Sequence, residues 1–236
     1  MADTATLNLP LLAASQAQKH VTVNEALVRL DGLAQLTLKS TTQTTPPGVA
    51  TDGDCYAVPS GAVNAWAGQT GAIALCTNGG WVFATPQIGW SAWVEDISAK
   101  VLFDGANWLA DVMAMSIHGA TTRQRVVELD HNLSAGPVST TAAGLPAFSM
   151  VFGLTGRVTT AITGTLTGWR LGVAGADTRY GSGLGLGQGS WVRGLTSAPQ
   201  TYYADTDLIM NAEGGDFAGG DVRLAIHYLE VSMPAP

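Results

Sequence analysis

Charge is scarce in this chain. Asp, Glu, Lys and Arg make up 12% of its 236 residues, about half the usual share. A formal net charge of −7 argues against nucleic acid or anionic lipid as a main partner. No apolar run approaches the roughly 18 residues of a membrane-spanning helix, and no charged start followed by an apolar stretch suggests a signal peptide. Export would then need another route, such as lysis. Cysteine is limited to Cys55 and Cys76, with no second thiol at metal-ligand spacing, so two buried free thiols are expected, with a disulfide as the alternative.

Catalytic and cofactor signatures are also missing. The histidines at 20, 118, 131 and 227 form no H-x-x-x-H pair. Ser182 sits between glycines, but Tyr180 occupies the first position that a G-x-S-x-G elbow reserves for glycine. His131 beside Asp130 could pair with a serine, although a turn residue at a strand end is the plainer reading. The run Gly183 to Gly189 fails the G-x-G-x-x-G test, has no Lys-Ser/Thr after it, and reads as a flexible loop or bulged strand. Asp205 and Asp207 read as solvated turn residues or an incidental cation site; paired glycosidase carboxylates stay open, since the fold sets their separation. No catalytic residue, metal ligand or cofactor is assigned.

What is abundant is glycine, at 29 residues, within an ordinary hydrophobic share of 46%. Residues 1–39 hold a polar run and then a helical pattern. Thr22-Val23-Asn24-Glu25 has the form of a capping box, and Ala26, Leu27, Leu30, Leu33, Ala34 and Thr37 recur at helical spacing over about four turns. Gly32 inside that pattern costs about 1 kcal/mol relative to alanine, so the helix needs a docking surface. Ser40 to Gly53 reads as a linker. Residues 54–112 hold five of the seven tryptophans in short runs, with hairpin turns expected at 78–80 and 104–106, each just before a Trp.

Residues 116–236 carry seven of the chain's eight arginines and none of its three lysines. Short runs recur here: Arg125–Leu129, Ala147–Leu154, Arg157–Thr163, Trp169–Val173, Leu208–Ala212 and Val222–Val231. The last predicts Val222, Leu224, Ile226 and Tyr228 on one face and Arg223 and His227 on the other. The pattern is that of an all-β sandwich or jelly roll.

Aromatics lie beside polar groups in this half. A sugar presents an apolar C–H face and a rim of hydroxyls, which an aromatic platform flanked by Asp or Arg complements. The carbohydrate-binding candidates are Trp169, Asp177, Arg179, Tyr180, Trp191, Tyr202, Tyr203 and Asp205, each ring with a core reading beside its ligand reading. The middle-segment tryptophans read as core.

Leu7 to Pro10, Gln16 to Leu27, Gly53 to Val58, Ala65 to Gly68, Gly80 to Phe83, Pro86 and Gly89-Trp90 together resemble an amino-terminal domain of alphaproteobacterial prophages. The same domain occurs in head-spike proteins of gene transfer agents, domesticated phage-like particles. The carboxy-terminal half resembles the tumour-necrosis-factor-type jelly roll of those spikes through Trp169 to Gly175, Arg179 to Gly183, Pro199 to Tyr203 and Gly214 to Gly220. The resemblance implies a virion protein at the particle surface, assembled in the cytoplasm and released by lysis. It implies attachment to a capsid or second spike protein through Gln16, Gln18, Lys19 and His20. It further implies a homo-oligomer, trimer before pentamer, that binds host capsular polysaccharide. A capsule depolymerase and an inert structural spike are the alternatives.

Overall fold

A computed structural model describes residues 3–13 and 19–236, with Lys19 described by its backbone alone. Among the described residues the chain is mainly β, with one α-helix near its start, and it divides into two compact units, Met1–Val112 and Met113–Pro236.

In the first unit, helix α1 (Lys19–Leu33) precedes seven short strands: β1 (Thr37–Leu38), β2 (Cys55–Ala57), β3 (Ile73–Thr77), β4 (Gly80–Ala84), β5 (Ser91–Val94), β6 (Ala99–Phe103) and β7 (Trp108–Ala110). They form one sheet ordered β4-β3-β2-β1-β5-β6-β7. Two three-stranded meanders flank the two-residue β1, which runs parallel to β2 and to β5. Each meander ends on a strand with tryptophan at its first or second position. Asn78 and Gly79, at φ 49° and 70°, build the two-residue turn before Trp81. Asp104 Oδ1 accepts from the amides of Ala106 (2.8 Å) and Asn107 (2.6 Å) to close the turn before Trp108.

Alternation along the strands fills both faces of this sheet. Cys55, Ala57, Ile73 and Leu75 pack with Leu38, Val94 and Val101 and with Val28 and Leu33 of α1. Tyr56, Val58 and Ala74 pack on the other face against Trp66, whose ring lies 5.1 Å from those of Tyr56 and Trp81. Gly32 is the point of closest approach: a Cβ there would meet the Leu75 methyls at 2.8 and 2.9 Å. The docking surface that this glycine requires is therefore β3.

The helix starts one turn before the expected cap. Thr22 lies inside α1, and Asn24 turns to the leader, accepting from Leu12 N at 2.9 Å and donating to Leu12 O at 3.1 Å. Ala26 and Leu30 are exposed, and the buried side passes through Val28, Asp31 and Gly32. Asp31, 3% exposed, accepts from Thr4 Oγ1 (2.7 Å), Thr6 N (2.9 Å) and Leu7 N (2.5 Å), pinning the leader to the helix. Cys55 and Cys76 are buried free thiols, and burial, helped by Asp54, pushes the Cys55 thiol up to about 12.

The second unit contains β8 (Val112–Met115, which opens at the junction), β9 (Thr121–Asn132), β10 (Val138–Leu145), β11 (Ser149–Gly164), β12 (Gly168–Val173), β13 (Ala176–Leu184), β14 (Trp191–Tyr202), β15 (Thr206–Glu213) and β16 (Phe217–Val231). One sheet runs β14-β11-β16-β9-β8 and the other β10-β15-β12-β13. The pairings among β9 to β16 are antiparallel, and successive strands from β9 to β12 alternate between the sheets, which is the jelly-roll arrangement. Val222, Leu224, Ile226 and Tyr228 of β16 all face the core, as their alternation predicts, beside Val151, Leu154, Leu171, Leu208 and Met210. The sequence separates Ala147–Leu154 from Arg157–Thr163, but from Ser149 onward both fall on the long β11, which passes through register shifts near Phe152 and Thr160 without a turn.

Replacing Asp31 by asparagine removes the charge from the leader clamp. Burial alone would push this carboxyl up, but the hydrogen bonds from Thr4, Leu7 and Thr6 outweigh it and hold it below the usual carboxylate range. A group depressed in the folded state contributes stability that is present above about pH 4 and lost as pH falls through its lowered value. The variant is expected to lose about 1–3 kcal/mol of first-unit stability at pH 7. The Thr6 and Leu7 amide resonances should follow acid in the parent protein and stay flat in Asp31→Asn; identical acid profiles would refute the clamp.

Candidate functional site

Because β16 turns Leu224 and Ile226 inward, Arg223, Ala225 and His227 stand on the outer face of the five-stranded sheet. Register aligns neighbours with them. Arg157 of β11 lies opposite Trp191 of β14 and Arg223 of β16, and Arg223 lies opposite Asp130 of β9. One row along, Arg193, Thr155, Ala225 and Glu128 follow one another across the same four strands. These rows line a groove of about 450 Å³.

Trp191 is 65% exposed in this groove, and the Arg193 guanidinium carbon lies 5.7 Å from its ring centre. Arg223 forks onto Asp130, with Nε to Oδ1 at 2.6 Å and Nη2 to Oδ2 at 2.8 Å, which holds the Asp130 carboxyl below its usual range. Thr155 Oγ1 and His227 Nε2 share a hydrogen bond of 3.0 Å on the row's inner flank. An indole with an open face, surrounded by guanidinium and hydroxyl groups, can stack on a sugar ring and bond its rim.

The structure scatters the other aromatic candidates. Trp169 and Tyr180 are core residues, each 2% exposed, and neither ring presents a face to a ligand. Trp169 Nε1 donates to Gly185 O at 3.1 Å, and the Tyr180 and Tyr202 hydroxyls lie 2.9 Å apart, so even their polar atoms are used internally. Burial, with that hydrogen bond second, drives the Tyr180 phenol well above its ordinary value. Gly194 of β14 lies directly against this core tyrosine; a Cβ there would meet Tyr180 O at 2.3 Å.

The polar candidates also have internal partners. Asp177 pairs with Arg170 at 2.8 Å, and Arg179 donates to the Gln200 side chain. Asp205 and Asp207 are backbone anchors: each accepts an amide hydrogen bond of 2.8 Å, from Ala147 and Ala143 respectively. Those bonds hold the irregular end of β10, where Ala143 has φ of 50°, and the β10–β11 connection, where Phe148 has φ of 55°. The Gly183–Gly189 run is, as expected, the end of β13 and a loop into β14.

Tyr203 lies just beyond the far end of β14 from Trp191, about 26 Å away, since the eight steps from Ser149 to Arg157 on β11 span the same stretch of the sheet. It lines a second groove of about 590 Å³ that is largely apolar, with Phe148, Met150, Val231 and Met233. Phe148, Tyr203, Val231 and Met233 are each at least 70% exposed.

Near the chain start, Gln16 and Gln18 lie outside the described residues, and Lys19 opens α1. His20 lines a groove of about 500 Å³ with Leu11, Val28, Asn78 and Val82, and its buried Nδ1 has no partner among the described residues. Among the described residues, no three His, Cys, Asp or Glu side chains gather as metal ligands, and no helix is long and apolar enough to cross a membrane.

His131 does meet a serine, inside β9 and not at a turn. Its Nε2 lies 2.7 Å from Ser139 Oγ, which also accepts from Ser134 N and Ser134 Oγ at 3.0 Å. Ser139 is 1% exposed, and the neighbouring Asp130 is committed to Arg223 on the opposite face. A nucleophile must reach its substrate. This one is enclosed and its lone pairs are occupied.

A family model described as a protein of unknown function (DUF2793) matches residues 23–109, within the first unit. No curated protein matches the chain. Among solved structures, a chain of the cyanophage Pam1 capsid asymmetric unit is similar at 25% identity over 50% of this chain and 92% of that one, with a TM-score of 0.35.

Ser139→Ala is expected to cost about 1–3 kcal/mol, because it strands the Ser134 amide and the imidazole. Burial lowers the His131 pKa, so the fold favours the neutral ring. That contribution is complete above about pH 6.5 and is lost as pH falls through the lowered folded value. Melting of parent and Ser139→Ala between pH 7.5 and 5 tests this, and the substitution should leave hydrolysis of an activated ester at background. Loss of a real hydrolytic rate would overturn the structural role.

Proposed function

We propose that this chain is a non-enzymatic surface protein of a phage-like particle that binds glycan through its jelly roll. The observation that carries the glycan reading is the exposed Trp191 indole in a groove lined by arginine, threonine and glutamate. The placement on a particle rests on the resemblance of Gln16 to Leu27 and the Trp-rich motifs to gene transfer agent head spikes. In this reading residues 1–39 and 54–112 attach the protein to a capsid or second spike protein, with His20 and its groove at the contact. Residues 116–236 oligomerise and engage the capsular polysaccharide of a recipient cell, after particles assembled in the cytoplasm leave by lysis.

Oligomerisation is supported by the apolar groove around Phe148, Val231 and Met233, which is a larger exposed hydrophobic surface than isolated side chains produce. A second copy of the chain is the occupant proposed, in a closed ring with a trimer favoured over a pentamer. Light scattering at micromolar concentration should give a multiple of the 24.3 kDa chain mass. Val231→Glu with Met233→Glu should reduce it to a monomer that keeps its β-type circular dichroism. A parent protein that is already monomeric would rule the assembly out.

One stacking contact gives a dissociation constant on the order of millimolar, and a multivalent oligomer on a repeating polymer can gain roughly 10² to 10⁴ in avidity. Trp191→Ala should therefore abolish binding to encapsulated cells while leaving oligomer size intact and stability within about 0.5 kcal/mol. Tyr180→Ala should instead destabilise the fold by about 3–5 kcal/mol, as truncation of a buried ring does. Unchanged cell binding by Trp191→Ala would remove the groove from this role.

A further inference from the structure

The groove concentrates positive charge in a protein whose formal net charge is −7. Three of its lining residues are arginines, and they differ in how they are satisfied. Arg223 is neutralised by its fork onto Asp130. Arg157, directly opposite Arg223 in register, has a single long hydrogen bond to Gly189 O at 3.4 Å and pairs with no carboxylate among the described residues. Arg193 likewise pairs with no carboxylate there and rests against Trp191. The charges left without a carboxylate are thus Arg157 and Arg193, on the neighbouring strands β11 and β14, and an anion entering the groove would supply their counterion.

Glu128 does not supply that anion. It stands three strands from Arg193 in the same row, about 14 Å at ordinary strand spacing, so the β14–β11 side of the groove stays cationic. Two unpaired guanidinium groups thus flank one exposed indole. A planar guanidinium fork matches a carboxylate in two parallel hydrogen bonds, while the indole face accepts the C–H face of a ring.

We propose that the groove selects an acidic polysaccharide: a uronate-like sugar stacks on Trp191 while its carboxylate is held by Arg157 and Arg193. This rests on the glycan-binding reading above and adds the charge of the ligand to it. Exposed ion pairs of this kind are screened by salt, whereas stacking is not.

The test uses the full chain on immobilised polygalacturonate, alginate, hyaluronate and polysialate, beside neutral dextran, galactan and mannan, with dextran sulfate and polyglutamate as polyanion controls. At least one carboxylated polysaccharide should bind ten times or more better than every neutral polymer and both controls at 20 mM NaCl. That preference should fall several-fold at 300 mM. Arg157→Gln and Arg193→Gln should each remove the preference with melting temperature and oligomer size unchanged, and Trp191→Ala should remove binding itself. Equal binding of neutral and acidic polysaccharides would overturn the charge inference and leave the glycan reading standing. Equal binding of polyglutamate or dextran sulfate would reduce the groove to an ion-exchange surface and also overturn it. Binding to no polysaccharide would bring down the glycan reading and this inference with it.

Discussion

Side chains alternate across a β-strand, and β16 holds the second unit to that rule. It lies between β11 and β9 in the five-stranded sheet, and burying Leu224 and Ile226 contributes about 1.5–3 kcal/mol for each side chain. The same geometry forces Arg223, Ala225 and His227 onto the outer face. Register then decides their company: Arg157 and Trp191 on one side, Asp130 and Glu128 on the other. The groove is thus a by-product of core packing, fixed in position by residues that never touch it. A one-residue slip of β16 would put Ile226 in water and Arg223 in the core, so fold and surface are specified together.

The first unit obeys a different constraint. Its sheet is divided by a strand of two residues, so little backbone pairing joins its halves. Side-chain packing supplies the continuity: Leu38 is fully buried between Cys55 and Val94, and α1 lies across β3 closely enough to require glycine at 32. The Asp31 clamp then ties the leader to the helix. Trp66 adds a second layer on the opposite face, at the expense of an indole Nε1 with no acceptor among the described residues.

Much of the fold was legible where local chemistry dominates. The Asn-Gly and Asp-Gly turns, the alternation of β16 and the need of Gly32 for a close neighbour are properties of short segments. β10, β13 and β14 were missed because their runs are broken by glycine, threonine and polar residues, and their inward faces emerge only from pairing with distant strands. The site followed the same division. Trp191 could be picked out as an aromatic among polar residues, but so could Trp169 and Tyr180, and only tertiary packing separates the exposed ring from the buried pair. Arg157 and Arg223 are absent from the sequence-based site candidates because 66 residues of sequence separate them, and nothing local places them side by side. Asp205 looked available to a ligand until its partner, the Ala147 amide 58 residues away, was in view.

The order in which β16 enters its sheet has a consequence for synthesis on the ribosome. β9 and β11 emerge first, and each must wait for a partner that is made later; Val126 pairs with His227, about a hundred residues downstream. Until β16 arrives, both strands present unpaired backbone to their surroundings, which is the condition that templates edge-to-edge association. Such long-range pairing also makes for slow folding. The first unit contains no such delay, since all its pairings close within about sixty residues. It can therefore be complete while the jelly roll is still an open half-sheet, so the nascent chain is most vulnerable in its second half.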